Sequence, residues 1–140
     1  MKFIEINNLI EKNELDFLYH LLKSRTHSIS HKKLPSFKEH SNFVKNHPYH
    51  KWFFIEKESE RLGSLYIHQD NSIGLDILER FEEDIPEILS FLEKEYKPLP
   101  QIKSVRSKNF FINVSPESKS IHTKLFSSGY KISQISFEKV

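Results

Sequence analysis

The stretch from Lys23 to Lys51 gathers seven basic residues (Lys23, Arg25, Lys32, Lys33, Lys38, Lys45, Lys51) against one acid, Glu39. His27, His31, His40, His47 and His50 are interleaved with them. Charge of one sign concentrated on one stretch forms an electropositive lip suited to an anionic ligand. A set of solvated surfaces is the plainer reading of the same pattern. Arg25 adds a planar fork of donors that matches carboxylate or phosphate oxygens. His40 and His68 could exchange protons near neutral pH, although a lone histidine on a helix or strand more often serves structure. No metal site is expected. His40, His47 and His50 do not share a dependable helix-face spacing, and Glu39 is the one carboxylate nearby. No G-x-S-x-G elbow and no glycine-rich phosphate loop occurs, so neither serine-triad hydrolysis nor a P-loop is supported.

Composition narrows the field further. The chain has 140 residues, a net charge of +2, three glycines and no cysteine. The absence of cysteine excludes disulfides, thiolate metal sites and cysteine nucleophiles. A length of this order suits one domain, residues 1–140, with a core that needs no covalent staple. The hydrophobic fraction of 37% and aromatic fraction of 13% are those of a folded globule. No apolar run is long enough to span a bilayer, and acids interrupt the N-terminus where a signal peptide would be apolar. A soluble cytoplasmic protein is the expectation, with no membrane partner. Nucleic acid is not an expected partner either, because the aromatics lie in apolar runs and not among the lysines. The chain could pair as a homodimer.

The elements that must position these groups follow from periodicity. Lys2–Ile6 alternates as an edge strand. A helix follows with Asn13 as its cap and Leu15, Leu18 and Leu22 on one face. Ser36 and Glu39 form a capping-box pattern that starts a second helix near 36 and carries it to about 46. Three strands at hairpin spacing come next, Lys51–Glu56, Arg61–His68 and Ile73–Leu78. Alternation puts Leu62, Ser64, Tyr66 and His68 on one face of the middle strand. Asp84 caps a helix whose stripe is Ile85, Ile88, Leu89, Leu92 and Tyr96, and Pro98 and Pro100 stop it. Asn109–Val114 reads as a buried strand. Ser115-Pro116-Glu117 starts a last helix that ends at Gly129, and Lys131–Phe137 reads as a final strand. The class is α+β, layered α/β/α, with a mixed, mostly antiparallel sheet between helices.

Over nearly the whole chain this order resembles the GNAT superfamily of N-acetyltransferases. Gly63 in Arg61-Leu62-Gly63-Ser64-Leu65-Tyr66-Ile67 and Gly74 in Ser72-Ile73-Gly74-Leu75-Asp76-Ile77 are similar to glycines that the family keeps in its hairpin strands. Pro116-Glu117-Ser118-Lys119 followed by Gly129-Tyr130 resembles the family's P-E-N-K…G-F ending. Ser36-Phe37-Lys38-Glu39-His40 and then Trp52-Phe53-Phe54-Ile55 is similar to branches that acetylate nucleotide-linked amino sugars.

The resemblance implies a site. Central strands would splay near Ile77 and Leu78, exposing backbone groups to the pantetheine arm of acetyl-CoA and to the thioester oxygen. Ser118 stands where the family has a cofactor-contacting asparagine, and Leu125 where many members carry a proton-donating tyrosine. Arg80 is the cation nearest the pyrophosphate position. The implied activity is acetyl transfer to a small-molecule amine, which needs a base, with Asp76 first and Glu56 second. Arg25, His27, His40 and His68 would face the acceptor, an amino sugar or a nucleotide sugar. The segment Leu78-Glu79-Arg80-Phe81-Glu82-Glu83-Asp84 departs from the family's glycine-rich pyrophosphate loop. Its acids would repel phosphate and compete for helix N-terminal amides. A non-catalytic GNAT-like binding or interaction module that has lost acetyl-CoA therefore stands as the alternative.

Overall fold

The computed structural model describes residues 1–25 and 33–140. Its elements are β1 (Lys2–Glu5), α1 (Lys12–Lys23), α2 (Phe37–Lys45), β2 (Lys51–Lys57), β3 (Glu60–Ile67) and β4 (Ser72–Ile77). A short 3-10 helix over Glu79–Asp84 then leads into α3 (Ile85–Glu95), β5 (Phe111–Ile112) and α4 (Lys119–Ser127). The protein is α+β, with a five-stranded mixed sheet in the order β1-β2-β3-β4-β5. The first four strands run antiparallel to their neighbours, and β5 runs parallel to β4. Among the described residues no helix is long and apolar enough to cross a membrane.

Two apolar clusters hold the sheet. In one, Leu15, Leu18 and Leu21 of α1 and Val44 of α2 pack with Trp52 and Phe54. In the other, Ile88 and Leu92 of α3 pack with Phe53, Ile55, Leu65, Ile67 and Ile73. Trp52 and Phe54 alternate with Phe53 and Ile55, so β2 supplies both clusters, as a strand with period two must. Ser36 caps α2 as its sequence requires, its hydroxyl accepting from the Glu39 amide at 3.1 Å.

Several local expectations are corrected. Helix α1 starts earlier than Asn13: Glu11 is its cap residue, and the Glu14 carboxylate accepts from the Glu11 amide at 3.2 Å. Its third buried leucine is Leu21, not Leu22. The β2–β3 register shifts between Ile55 and Glu56, so Arg61 pairs with Glu56 and Gly63 with Ile55. The residue between them, Leu62, is carried into the cluster with Ile55, away from the Tyr66 face. Asp84 holds the cap position of α3 as expected, but its side chain makes no capping bond, because its carboxylate accepts from Lys57 Nζ at 2.8 Å. The strand at 109–114 contracts to Phe111–Ile112. Residues 131–140 form no strand, with Ile132, Ile135 and Phe137 exposed, because no sheet edge meets them.

Candidate functional site

Strands β4 and β5 share only two register pairs, Ser72 with Phe111 and Ile73 with Ile112. Beyond them the two segments part and line a cleft of about 860 Å³. One wall is Gly74–Leu78 and the other runs from Ile112 to Ser115 and on to α4. The ladder on the β3 side fixes which backbone groups face the opening. His68 donates to the Ser72 carbonyl at 2.8 Å and Leu78 donates to the Leu62 carbonyl at 3.0 Å. Antiparallel ladders alternate, so the even-numbered residues of β4 bond to β3, and the amides and carbonyls of Leu75 and Ile77 point into the cleft. Among the described residues none of these four groups has a hydrogen-bond partner.

Between Leu75 and Ile77 sits Asp76. Arg25, one residue beyond the turn that closes α1, donates from Nε to the Asp76 carboxylate oxygen Oδ2 at 3.0 Å, and its Nη2 stands 3.0 Å from the same oxygen as an ion-pair contact. The other oxygen, Oδ1, has no partner among the described residues. The side chains of Arg25 and Asp76 keep 26% and 15% of their exposure. Burial pushes the Asp76 carboxyl above its ordinary value, and the Arg25 charge only partly offsets that.

Tyr66 lies on the same floor. Gly74 is its register partner, and a methyl group at Gly74 would fall 1.8 Å from the Tyr66 ring. The ring therefore lies flat over the one β4 position with no side chain. Tyr49 stacks on it at 4.1 Å with 7° between planes. Burial, first of all, holds both hydroxyls above the usual phenol range.

The cleft brings together Arg25, Asp76, Ile77, Leu78, Arg80 and Ser118, all singled out from the sequence. Leu78 is there by its side chain only, because its amide bonds to Leu62 and its carbonyl accepts from Phe81 at 2.8 Å. Leu75 takes the backbone role expected of it. Glu56 stands outside the cleft, 3.8 Å from Arg61, which also reaches Glu14 and lies 4.0 Å over the Phe54 ring. That network is structural. His40 is buried beside the Tyr19 ring at 5.3 Å, and His68 packs edge-on to Tyr49 and Tyr66. Neither histidine lines the cleft. His27 and Lys32 lie outside the described residues. Tyr66 and Leu75 were not anticipated. The Tyr66–Gly74 pairing was the available signal, since a bare glycine opposite a tyrosine marks where a ring can fold over the sheet.

The acidic segment after β4 behaves differently from its sequence. Asp84 pairs with Lys57, Glu83 with Lys124 at 3.2 Å, and Glu82 accepts from the Ser120 hydroxyl at 2.9 Å. Three of its four acids are thus turned to partners on other elements. Arg80 and Lys119 remain as the cations lining that end of the cleft.

In comparisons with known proteins, neither a family model nor a curated protein matched the chain.

Proposed function

We propose that the protein is a GNAT-like N-acetyltransferase that moves an acetyl group from acetyl-CoA to a small-molecule amine held in the β4–β5 cleft. One observation carries the reading: two strands that part after two pairs leave the Leu75 and Ile77 backbone groups facing a cleft floored by Asp76. An extended amide-bearing arm is the natural complement to such an edge, because it restores the missing ladder.

The cleft offers partners for several parts of acetyl-CoA, although Glu79, Glu82 and Glu117 line it beside the cations. Leu75 and Ile77 would pair with the pantetheine amides. Arg80, as a planar fork, and Lys119, as a point charge, would meet the phosphates, where the family uses glycine-loop amides. Ser118 offers a hydroxyl from the opposite wall. Bound acetyl-CoA supplies an activated acyl carbon. An amide of the unpaired β4 edge would donate to its oxygen as negative charge grows there. Asp76 Oδ1 would accept the proton that the attacking amine must lose, and its raised pKa suits that task.

The glycine-free 3-10 segment Glu79–Asp84 favours a second reading, a binding module of the same fold without transfer activity. Calorimetric titration with acetyl-CoA separates the two. The transferase reading expects saturable one-to-one heat and a raised melting temperature. No heat and no thermal shift at millimolar cofactor would refute it.

A further inference from the structure

The Arg25–Asp76 pair is arranged to receive two charges at once. The hydrogen bond and the ion-pair contact both fall on Asp76 Oδ2, and among the described residues Asp76 Oδ1 and Arg25 Nη1 make no hydrogen bond. Both side chains line the cleft beside the Tyr66 ring, which itself covers Gly74, so a ligand reaches the pair from the open space of the cleft. From this geometry we infer that the cleft selects an amine carrying an oxyanionic group, a carboxylate or a phosphate, within a few bonds of its nitrogen. The ammonium docks on Asp76 Oδ1 while the oxyanion takes Arg25.

Charge balance gives the selectivity. The resident pair is neutral and its carboxylate is only 15% exposed. A plain alkylamine would bring an uncompensated positive charge next to Arg25 into that partly desolvated place, which is costly. A plain anion would meet Asp76 in the same way. A ligand bearing both charges leaves the total unchanged and turns one ion pair into an alternating set of four groups. Arg25 favours oxyanions further, because its remaining donors lie in a planar fork. The two resident groups are one hydrogen-bond length apart, so a ligand that touches both must hold its own charges close together. That geometry suits amino acids and 2-amino-sugar 1-phosphates, and it disfavours diamines, which bring no anion. Acetylation of this ligand rests on the transferase reading; the binding preference does not.

The test uses the full chain without acetyl-CoA, titrated calorimetrically with matched pairs. L-serine is set against ethanolamine, L-lysine against cadaverine, and glucosamine 1-phosphate against glucosamine. The carboxylate and phosphate arms identify which oxyanion is preferred. The inference expects at least one anionic amine to bind about tenfold to a hundredfold more tightly than its anion-free partner. Arg25→Gln should reduce that ratio to within about threefold, and Arg25→Lys, which keeps the charge but loses the fork, should fall between. Equal or tighter binding of the anion-free amines overturns the inference. So does the absence of binding by every member of the set, or a preference that survives Arg25→Gln in a folded variant. If acetyl-CoA binds and no preference appears, this inference fails alone. If the preference appears without acetyl-CoA binding, the transferase reading fails and this inference stands.

Discussion

Gly74→Ala is the smallest change that tests how the floor of the cleft is built. The new methyl would sit 1.8, 2.1 and 2.3 Å from three Tyr66 ring atoms, well inside contact distance. A ring at the end of a flexible side chain could simply swing away, and the change would then be harmless. Tyr66 is not so placed, because Tyr49 stacks on it at 4.1 Å, and Trp52 and His68 meet it edge-on at 6.2 and 5.1 Å. Moving the ring therefore overpacks the site, at about 1–3 kcal/mol, and disturbs a stack worth roughly 0.5–1.5 kcal/mol. Against this, alanine restricts the unfolded chain and returns about 0.4–1 kcal/mol. The expected net loss is about 1–3 kcal/mol, or a melting temperature lower by roughly 3–10 °C for a chain of this size. Urea unfolding of Gly74→Ala, Tyr66→Val and the double variant measures it. With the ring gone the methyl has room, so the same glycine change should be neutral or slightly stabilising, with a coupling energy of at least about 1 kcal/mol. A cost below about 0.5 kcal/mol in the native background, or an equal cost with and without the ring, refutes the flat-ring account.

Gly63→Ala should be worse, since its methyl would fall 2.2 Å from the Asp76 backbone carbonyl, which cannot swing aside; a loss above about 3 kcal/mol or failure to fold is expected, and ordinary stability in urea would disprove the close approach. Asn71 is fully buried, donates to the Leu99 and Ser107 carbonyls at 2.9 and 2.8 Å and accepts from the Leu99 amide at 2.8 Å. Asn71→Ala orphans those groups and should cost about 3 kcal/mol or more by chemical denaturation. Ser59 has a φ of 65° in the β2–β3 turn, so Ser59→Gly should raise stability by about 0.5–1 kcal/mol; a lower melting temperature would contradict that turn geometry. The raised Asp76 carboxyl means that the native state binds more protons than the unfolded state between the ordinary value near 3.9 and its higher folded value. This contribution to stability therefore falls as pH rises through that window. Asp76→Asn should remove the slope when unfolding is followed from about pH 4 to about pH 7, and an unchanged slope would place the burial effect elsewhere.

Elements whose partners lie close in sequence were legible. The Ser36–Glu39 cap, the two hairpins around β3 and the α3 stripe from Ile85 to Leu92 each follow from local spacing, and the structure has them. What was lost depended on distant partners. Asp84 stands at the cap of α3, but Lys57 arrives from another element to take its carboxylate, so the side-chain capping bond is missing. Leu62 alternates with Ser64 in sequence, but a bulge set by pairing with β2 turns it to the other face. Residues 131–137 alternate as a strand should, yet a strand is completed only by an edge to pair with. The same limit applies to the site. Asp76, Ile77 and Arg25 could be singled out by type and place. That Leu75 and not Leu78 turns its backbone to the cleft is a matter of ladder parity, which no single strand reveals.

The brevity of the β4–β5 pairing divides the molecule mechanically. Strands β1 to β4 are bound into one sheet by continuous ladders, whereas β5 is tied to that sheet by two register pairs and by the bonds of Asn71 to the crossover that precedes it. Cooperative opening should follow this seam: the segment from Phe111 through α4 can detach as a unit while β2, β3 and β4 stay shut. Amides of α4 would then exchange with solvent through a partial opening, and those of Phe53, Leu65 and Gly74 only through deeper ones. The cleft lies along the seam itself, so any ligand that touches both walls acts as a clasp between two folding units and slows exchange from Phe111 through α4.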